Sequence, residues 1–262
     1  MKKFVTHSLL LFATLIAGCA SLPNARIDQV DEQRVEYALT RNGGQVVVFE
    51  NGLGGRMEWW AKVIPEISKN STTFAYNRPG YGKSDPASTA RDGKHIVDEL
   101  RSLLRSRGLN PPYVLVGHSL GGLYMQLFAR RYPNEVGALV LVDSTHPAQL
   151  KGAGSTENWP AWARIAFGMA TSVVEKEELS AIDVTGEDVL GLPTFVGKPV
   201  IVLSALQPMK VKSALADDAN EKRKDIARLY PDAKQIWVDS GHGIPLESPE
   251  SVISGIREVL PR

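Results

Sequence analysis

The chain of 262 residues carries 30 lysines and arginines against 29 aspartates and glutamates, and 43% of it is hydrophobic. That length and balance suit one large α/β domain, or two small ones, with a substantial core. A net charge of +1 without a basic cluster gives nucleic-acid binding no electrostatic support, and a single cysteine, Cys19, excludes an internal disulfide.

The chain opens MKKFVTHSLLLFATLIAGCASLPNA. Lys2 and Lys3 precede a mainly apolar run, Val5–Ala17, that is too short for a membrane span. Ile16-Ala17-Gly18-Cys19 then resembles the lipobox of bacterial lipoproteins. In that family the signal peptide is cut before the cysteine and the cysteine is lipidated. The resemblance implies a signal peptide over 1–18 and a lipid such as palmitate on Cys19. It places the protein in the bacterial cell envelope, with the membrane as partner through that anchor. Ala20, where an aspartate would imply inner-membrane retention, favours the periplasmic side of the outer membrane. An ordinary secretory signal with an incidental cysteine is the alternative. Residues 19–31 read as a polar tether into a domain over 32–262.

Strand-like and helix-like runs alternate from there. Arg34–Thr40 alternates like an edge strand, and Asn42-Gly43-Gly44 is a turn. Val46–Phe49 is a buried strand by its continuous apolar character. A helix is expected over Met57–Lys69, with Pro65 inside it, and a strand over Thr72–Tyr76. Ile96, Leu100, Leu103 and Leu104 fall on one face of a helix within 91–108, which Gly108 stops. Strand 113–116, helix 120–132 and strand 137–142 follow. Two more strands, 199–204 and 235–238, flank a charged helix over about 213–230, and a last helix spans 249–260. The run Glu221-Lys222-Arg223-Lys224-Asp225 is mixed in sign and reads as a solvated helix face. This alternation implies an α/β fold with a mostly parallel central sheet and helices on both faces. Residues 145–198 break the rhythm: they hold no strand, but short helical patches with Trp159, Trp162, Phe167 and Met169. An insertion of this kind serves as a lid or binding element, or is a packed helical excursion. The three aromatics are the candidate substrate pocket.

Gly117-His118-Ser119-Leu120-Gly121 sits where a strand gives way to a helix, and fits the G-x-S-x-G nucleophile elbow. Glycines without Cβ atoms let strand and helix close around a strained turn. The turn lifts the serine hydroxyl to the helix N-terminus, where free backbone N–H groups can stabilise an oxyanion.

Six stretches appear in order: VVVFENGLGG, FAYNRPGYGKSD, YVLVGHSLGGLY, LVLVDSTHP, PVIVLSA and VDSGHGIPLESPE. Together they resemble the α/β-hydrolase superfamily, from about Arg34 to Leu260. The resemblance implies an α/β-hydrolase fold with a small helical cap at 145–198 and a serine nucleophile, Ser119. A serine nucleophile needs a base, and the base an orienting acid. Among the histidines, His95 lies in a helix and His118 adjoins the serine on a turn that points them apart, so it supports the elbow. His146 follows a strand. His242 sits in a loop between the last strand and the last helix, at the sheet edge where α/β sites gather and where the resemblance places the base. The acid is open. The strand PVIVLSALQPM carries no carboxylate after it, unlike the commoner family pattern, so Asp143 at the end of ALVLVDS is the first candidate and Asp217 and Asp218 are the others. Alignment on Gly52 makes the Leu53 N–H an oxyanion donor beside that of Leu120; Asn51 stands where many relatives have histidine. Arg78-Pro79-Gly80-Tyr81-Gly82-Lys83-Ser84 is a further landmark of the superfamily, expected to brace a loop near the site, with no chemistry assigned to it.

The sequence therefore predicts a serine esterase working by acyl transfer on a small-molecule ester with an apolar acyl or alcohol group. No metal or organic cofactor is expected, because no ligand spacing or dinucleotide fingerprint is present. Alternatives are hydrolysis of an amide, lactone, thioester or carbon–carbon bond, or perhydrolysis, on the same residues. A non-catalytic binding lipoprotein is the alternative from another class.

Overall fold

The computed structural model describes residues 22–30, 33–206 and 213–261; Cys19 and the signal-like segment lie outside them. An eight-stranded sheet runs in the order β1-β2-β4-β3-β5-β6-β7-β8. Its strands are β1 (Ala25–Val30), β2 (Gln33–Thr40), β3 (Val46–Glu50), β4 (Thr72–Tyr76), β5 (Tyr113–His118), β6 (Val136–Val142), β7 (Val200–Ala205) and β8 (Ala233–Val238). β1 and β2 pair antiparallel, and β2 meets β4 antiparallel; every other neighbour is parallel. The inner strands are apolar on both sides because helices cover both faces, and all six residues of β5 are buried.

One face carries α2 (Gly93–Ser106) and α3 (Leu120–Arg131), which bury Leu100, Leu104, Leu123 and Phe128. Asp92 caps α2 by accepting from the Lys94 and His95 N–H groups. Truncating one of these buried leucines to alanine costs about 2–5 kcal/mol. The other face carries the short α1 (Ile64–Ile67) and α9 (Pro249–Val259), with Trp60, Ile64, Val252 and Ile256 buried.

Residues 145–198 contain no strand. They form α4 (Ala161–Ala170), α5 (Val173–Ser180) and α6 (Ile182–Gly191). α7 (Ala214–Asp225) follows β7, and α8 (Ile244–Glu247) follows β8. No helix among the described residues is long and apolar enough to cross a membrane.

Three expectations need correction. The expected tether contains a strand: Leu22 is buried and β1 pairs with β2, so β2 is not the edge. β1 escapes sequence patterning because it is itself the edge, with mostly exposed side chains. The helix expected over 57–69 is instead a 3-10 turn, Met57–Trp60, followed by α1. Pro65 has no N–H to continue a helix and stands in the first turn of α1, where none is needed. The charged run in α7 is not a wholly solvated face, because Lys222 and Arg223 turn inward.

Candidate active site

β3 and β5 are adjacent, yet the chain leaves β3 for β4 on one side and β5 for β6 on the other. That reversal opens a crevice at the carboxyl ends of the two strands. The loop after β3 borders it on one side and Ser119 on the other. Ser119 stands at φ 53° and ψ −124°, a conformation that non-glycine residues rarely adopt. Such strain costs on the order of 1–3 kcal/mol and survives only where surroundings enforce it. Here the Ser119 N–H donates to the Val142 carbonyl at 3.1 Å, and the Ser119 carbonyl accepts from Gly122 and Thr145 at 2.9 Å each. Glycine is required at the elbow: a Cβ on Gly121 would lie 2.5 Å from the Asn51 carbonyl oxygen and 2.6 Å from that of Glu50. Leu120 is the first residue of α3, where N–H groups lack an intrahelical acceptor.

The β3 loop lies directly against the serine. A Cβ placed on Gly52 would be 2.9 Å from the Ser119 Cβ and 3.4 Å from its Oγ. The loop is held from behind by Arg78, whose Nη1 donates to the Asn51 carbonyl at 2.7 Å and whose Nη2 donates to the Gly52 carbonyl at 3.0 Å. The bracing expected of the stretch 78–84 is present as two direct bonds from Arg78. Glu50 accepts from the same guanidinium at 2.7 Å, and burial pushes its carboxyl up despite that neighbour.

Asp143 follows β6 at φ 39°, a second strained residue. Parallel pairing of β6 with β7 carries its side chain under the His242 loop, where His242 Nδ1 lies 2.6 Å from Asp143 Oδ2. The Ala205 N–H donates to Oδ1 at 3.1 Å. Arg223 grips both oxygens, with Nε at 2.5 Å from Oδ1 and Nη2 at 3.0 Å from Oδ2. Burial would raise the Asp143 carboxyl, but the His242 ring and the Arg223 guanidinium outweigh it and hold it well below the usual carboxylate range. Asp143 is thus the candidate acid that meets His242. Asp218 is paired with Lys222 at 2.7 Å, and Asp217 is exposed on α7.

The His242 loop is fixed at both ends. Glu247 accepts from the Gly241 N–H at 2.7 Å and the Ser240 hydroxyl at 3.0 Å. His118 Nε2 reaches the His242 carbonyl at 2.8 Å, so the His118 ring is a donor there. Burial and the His242 ring push His118 down to about 3, which keeps it neutral in that role. The Trp59 ring stacks on His118 at 5.2 Å between centroids. His146 is elsewhere: its Nε2 pairs with Asp225 at 3.2 Å and its Nδ1 accepts from the Ala148 N–H at 3.0 Å. Trp159 gives its indole N–H to the Gly154 carbonyl within the insertion, while the side chains of Trp162 and Phe167 lie outside the described parts. Sequence patterning missed Arg223, Glu247 and Trp59; only the mixed charge of α7 hinted at the first.

A strained serine at a switch-point crevice, with a histidine held by a buried carboxylate at the same sheet edge, fits the expectation of an α/β hydrolase. Residues 45–225 match the family described as alpha/beta hydrolase fold, and the chain belongs to it. The protein is 34% identical over 102 residues to the uncharacterized protein YqjL of Bacillus subtilis (strain 168), a match covering 39% of this chain and 40% of that protein. It is 25% identical over 246 residues to the 2-(acetamidomethylene)succinate hydrolase of Mesorhizobium japonicum, covering 89% of this chain and 84% of the relative. The chain thus spans less than half of the first relative and most of the second. Cfl2 of Burkholderia cenocepacia superposes with a TM-score of 0.66 at 19% identity, covering 90% of this chain and 95% of that one, which is a likeness of fold.

Proposed function

We propose that the protein is a serine hydrolase that cleaves a carboxylic ester through an acyl-enzyme. The observation that carries this reading is the 2.6 Å contact between His242 Nδ1 and the ionised Asp143, at the same sheet edge as the strained Ser119. Ser119 Oγ attacks the carbonyl carbon while His242 Nε2 takes its proton. The Leu53 and Leu120 N–H groups receive the charge that develops on the carbonyl oxygen. Collapse breaks the ester C–O bond, and His242 returns the proton to the departing alcohol. Water then repeats the sequence on the acyl-enzyme and frees Ser119. Asp143 keeps the His242 proton on Nδ1, leaving Nε2 free as base. Ile165, Met169 and Val173 stand exposed on α4 and α5 of the cap, an apolar surface that suits an apolar acyl or alcohol group.

The test is hydrolysis of p-nitrophenyl esters from acetate to palmitate by the chain lacking residues 1–19. Ser119→Ala and His242→Ala each lower kcat by on the order of 10⁶, and Asp143→Ala by about 10⁴. Asp143→Ala at wild-type rate refutes the acid assignment. Labelling of Ser119 by a fluorophosphonate without ester turnover directs the same machinery to another bond. The lipid anchor belongs to this reading too. Leu22 is buried only three positions after Cys19, so a lipid on that cysteine would hold the domain within about 10 Å of a bilayer. Palmitate labelling of the full chain that survives Cys19→Ser would refute the anchor.

A further inference from the structure

The cap reaches the oxyanion loop through one buried guanidinium. Arg78 spends all five of its N–H donors: Nε and Nη2 on the two oxygens of Glu178 at 2.9 and 2.8 Å, Nη1 on Glu50 and the Asn51 carbonyl, and Nη2 again on the Gly52 carbonyl. Glu178 belongs to α5, in the cap, and its side chain is fully buried against Arg78. The Tyr81 hydroxyl donates to the same Oε2 at 2.8 Å. The N-terminal part of α5 touches the loops as well. A Cβ on Gly54 would lie 3.0 Å from Glu175 Oε1, and one on Gly80 would lie 3.0 Å from three carbons of Val174.

The Gly52 carbonyl and the Leu53 N–H belong to one planar trans peptide, so the two point in opposite directions. Fixing the carbonyl on Arg78 turns the N–H away from the buried network, towards the crevice. We infer that Glu178 is a positioning residue for the oxyanion hole: the cap, through Glu178 and Arg78, sets the direction of the Leu53 N–H donor. The inference rests on the serine-hydrolase reading above. A rigid, bidentate fork suits this role, and a lysine, with three donors and no plane, cannot replace it. The insertion is then part of the catalytic geometry.

The experiment compares Glu178→Gln and Arg78→Lys with wild type on a p-nitrophenyl ester and its thionoester. The sulfur of a thionoester is larger and a weaker acceptor, so it draws little from N–H donors aimed at an oxygen. Glu178→Gln lowers ester kcat by about 10-fold or more with KM held within about threefold, and Arg78→Lys approaches the 10²–10³ typical of a lost oxyanion donor. The ester-to-thionoester ratio falls with kcat in both variants. This ratio is independent of the fraction folded, so it remains decisive where a variant is partly unfolded. Unchanged ester kcat in Glu178→Gln overturns the coupling, as does an equal fall on both substrates, which signals general structural damage. Ser119→Ala runs beside them: if it keeps the activity, the hydrolase reading falls and the coupling with it.

Discussion

Arg223 makes the pH dependence of this site predictable. Its Nη2 and the His242 Nδ1 bond the same oxygen of Asp143, at 3.0 and 2.6 Å, so about 5.6 Å at most separates them. In the proposed acyl transfer His242 gains a proton, and that charge develops beside a permanent cation. At an effective dielectric of about 20 the repulsion is about 3 kcal/mol, and nearer 1 kcal/mol at the higher dielectric of water-exposed surroundings. The His242 side chain is 48% exposed, which selects the lower end. In Arg223→Gln, Asp143 keeps its bonds to His242 and the Ala205 N–H but loses the cation. The protonated form of the base is then less opposed. The proposed base must be neutral to act, so the acid limb of kcat/KM moves up. The rate on the alkaline plateau stays within about threefold. The assay is kcat/KM for a p-nitrophenyl ester from pH 5 to pH 9. A limb that stays in place, or moves down, refutes the electrostatic argument. A uniform drop at every pH means instead that Arg223 only holds Asp143 in place.

The elbow was legible because its signal is short-range: an apolar strand, G-x-S-x-G and a helical run follow one another without a break. His242 was legible from chain order and its loop. Asp143 was only one of several candidates, since a strand-end aspartate looks the same in sequence whether it meets a histidine or caps a turn. The pairing of β6 with β7 decides between them, and pairing is a long-range property. Arg223 and Glu178 were hidden for a different reason. Both lie in charged helical stretches, and a sequence gives the charge of each position but not how the helix is rotated against the sheet. Glu177 is exposed while Glu178, one residue on, is buried. Arg78 carried a hint, because a proline and two glycines after it mark an ordered loop; its partner in the cap, 100 residues away, did not.

Two further outcomes follow from the packing of the elbow. In Gly121→Ala the new methyl meets the backbone carbonyls of Glu50 and Asn51, which cannot rotate away. Calorimetry should show a loss of about 1–3 kcal/mol, with kcat reduced because the loop bearing Leu53 is pushed off the serine; wild-type stability would contradict the close approach. His118 gives a stability signature in acid. Burial pushes its folded value down to about 3 from an ordinary 6.5, so below about pH 6.5 the unfolded chain binds a proton that the folded protein refuses. Stability from this group is therefore complete above pH 6.5 and drains as pH falls towards 3, by up to about 1.4 kcal/mol per pH unit and about 4–5 kcal/mol in all. Asp143, whose value is depressed, contributes stability above the ordinary carboxylate range and loses it only in stronger acid, outside the window from pH 6.5 to 4.5. Urea unfolding across that window should show a slope smaller by about one proton in His118→Asn than in wild type. Equal slopes would mean that His118 takes up its proton in the folded state, and that the bond to the His242 carbonyl does not depend on a neutral ring.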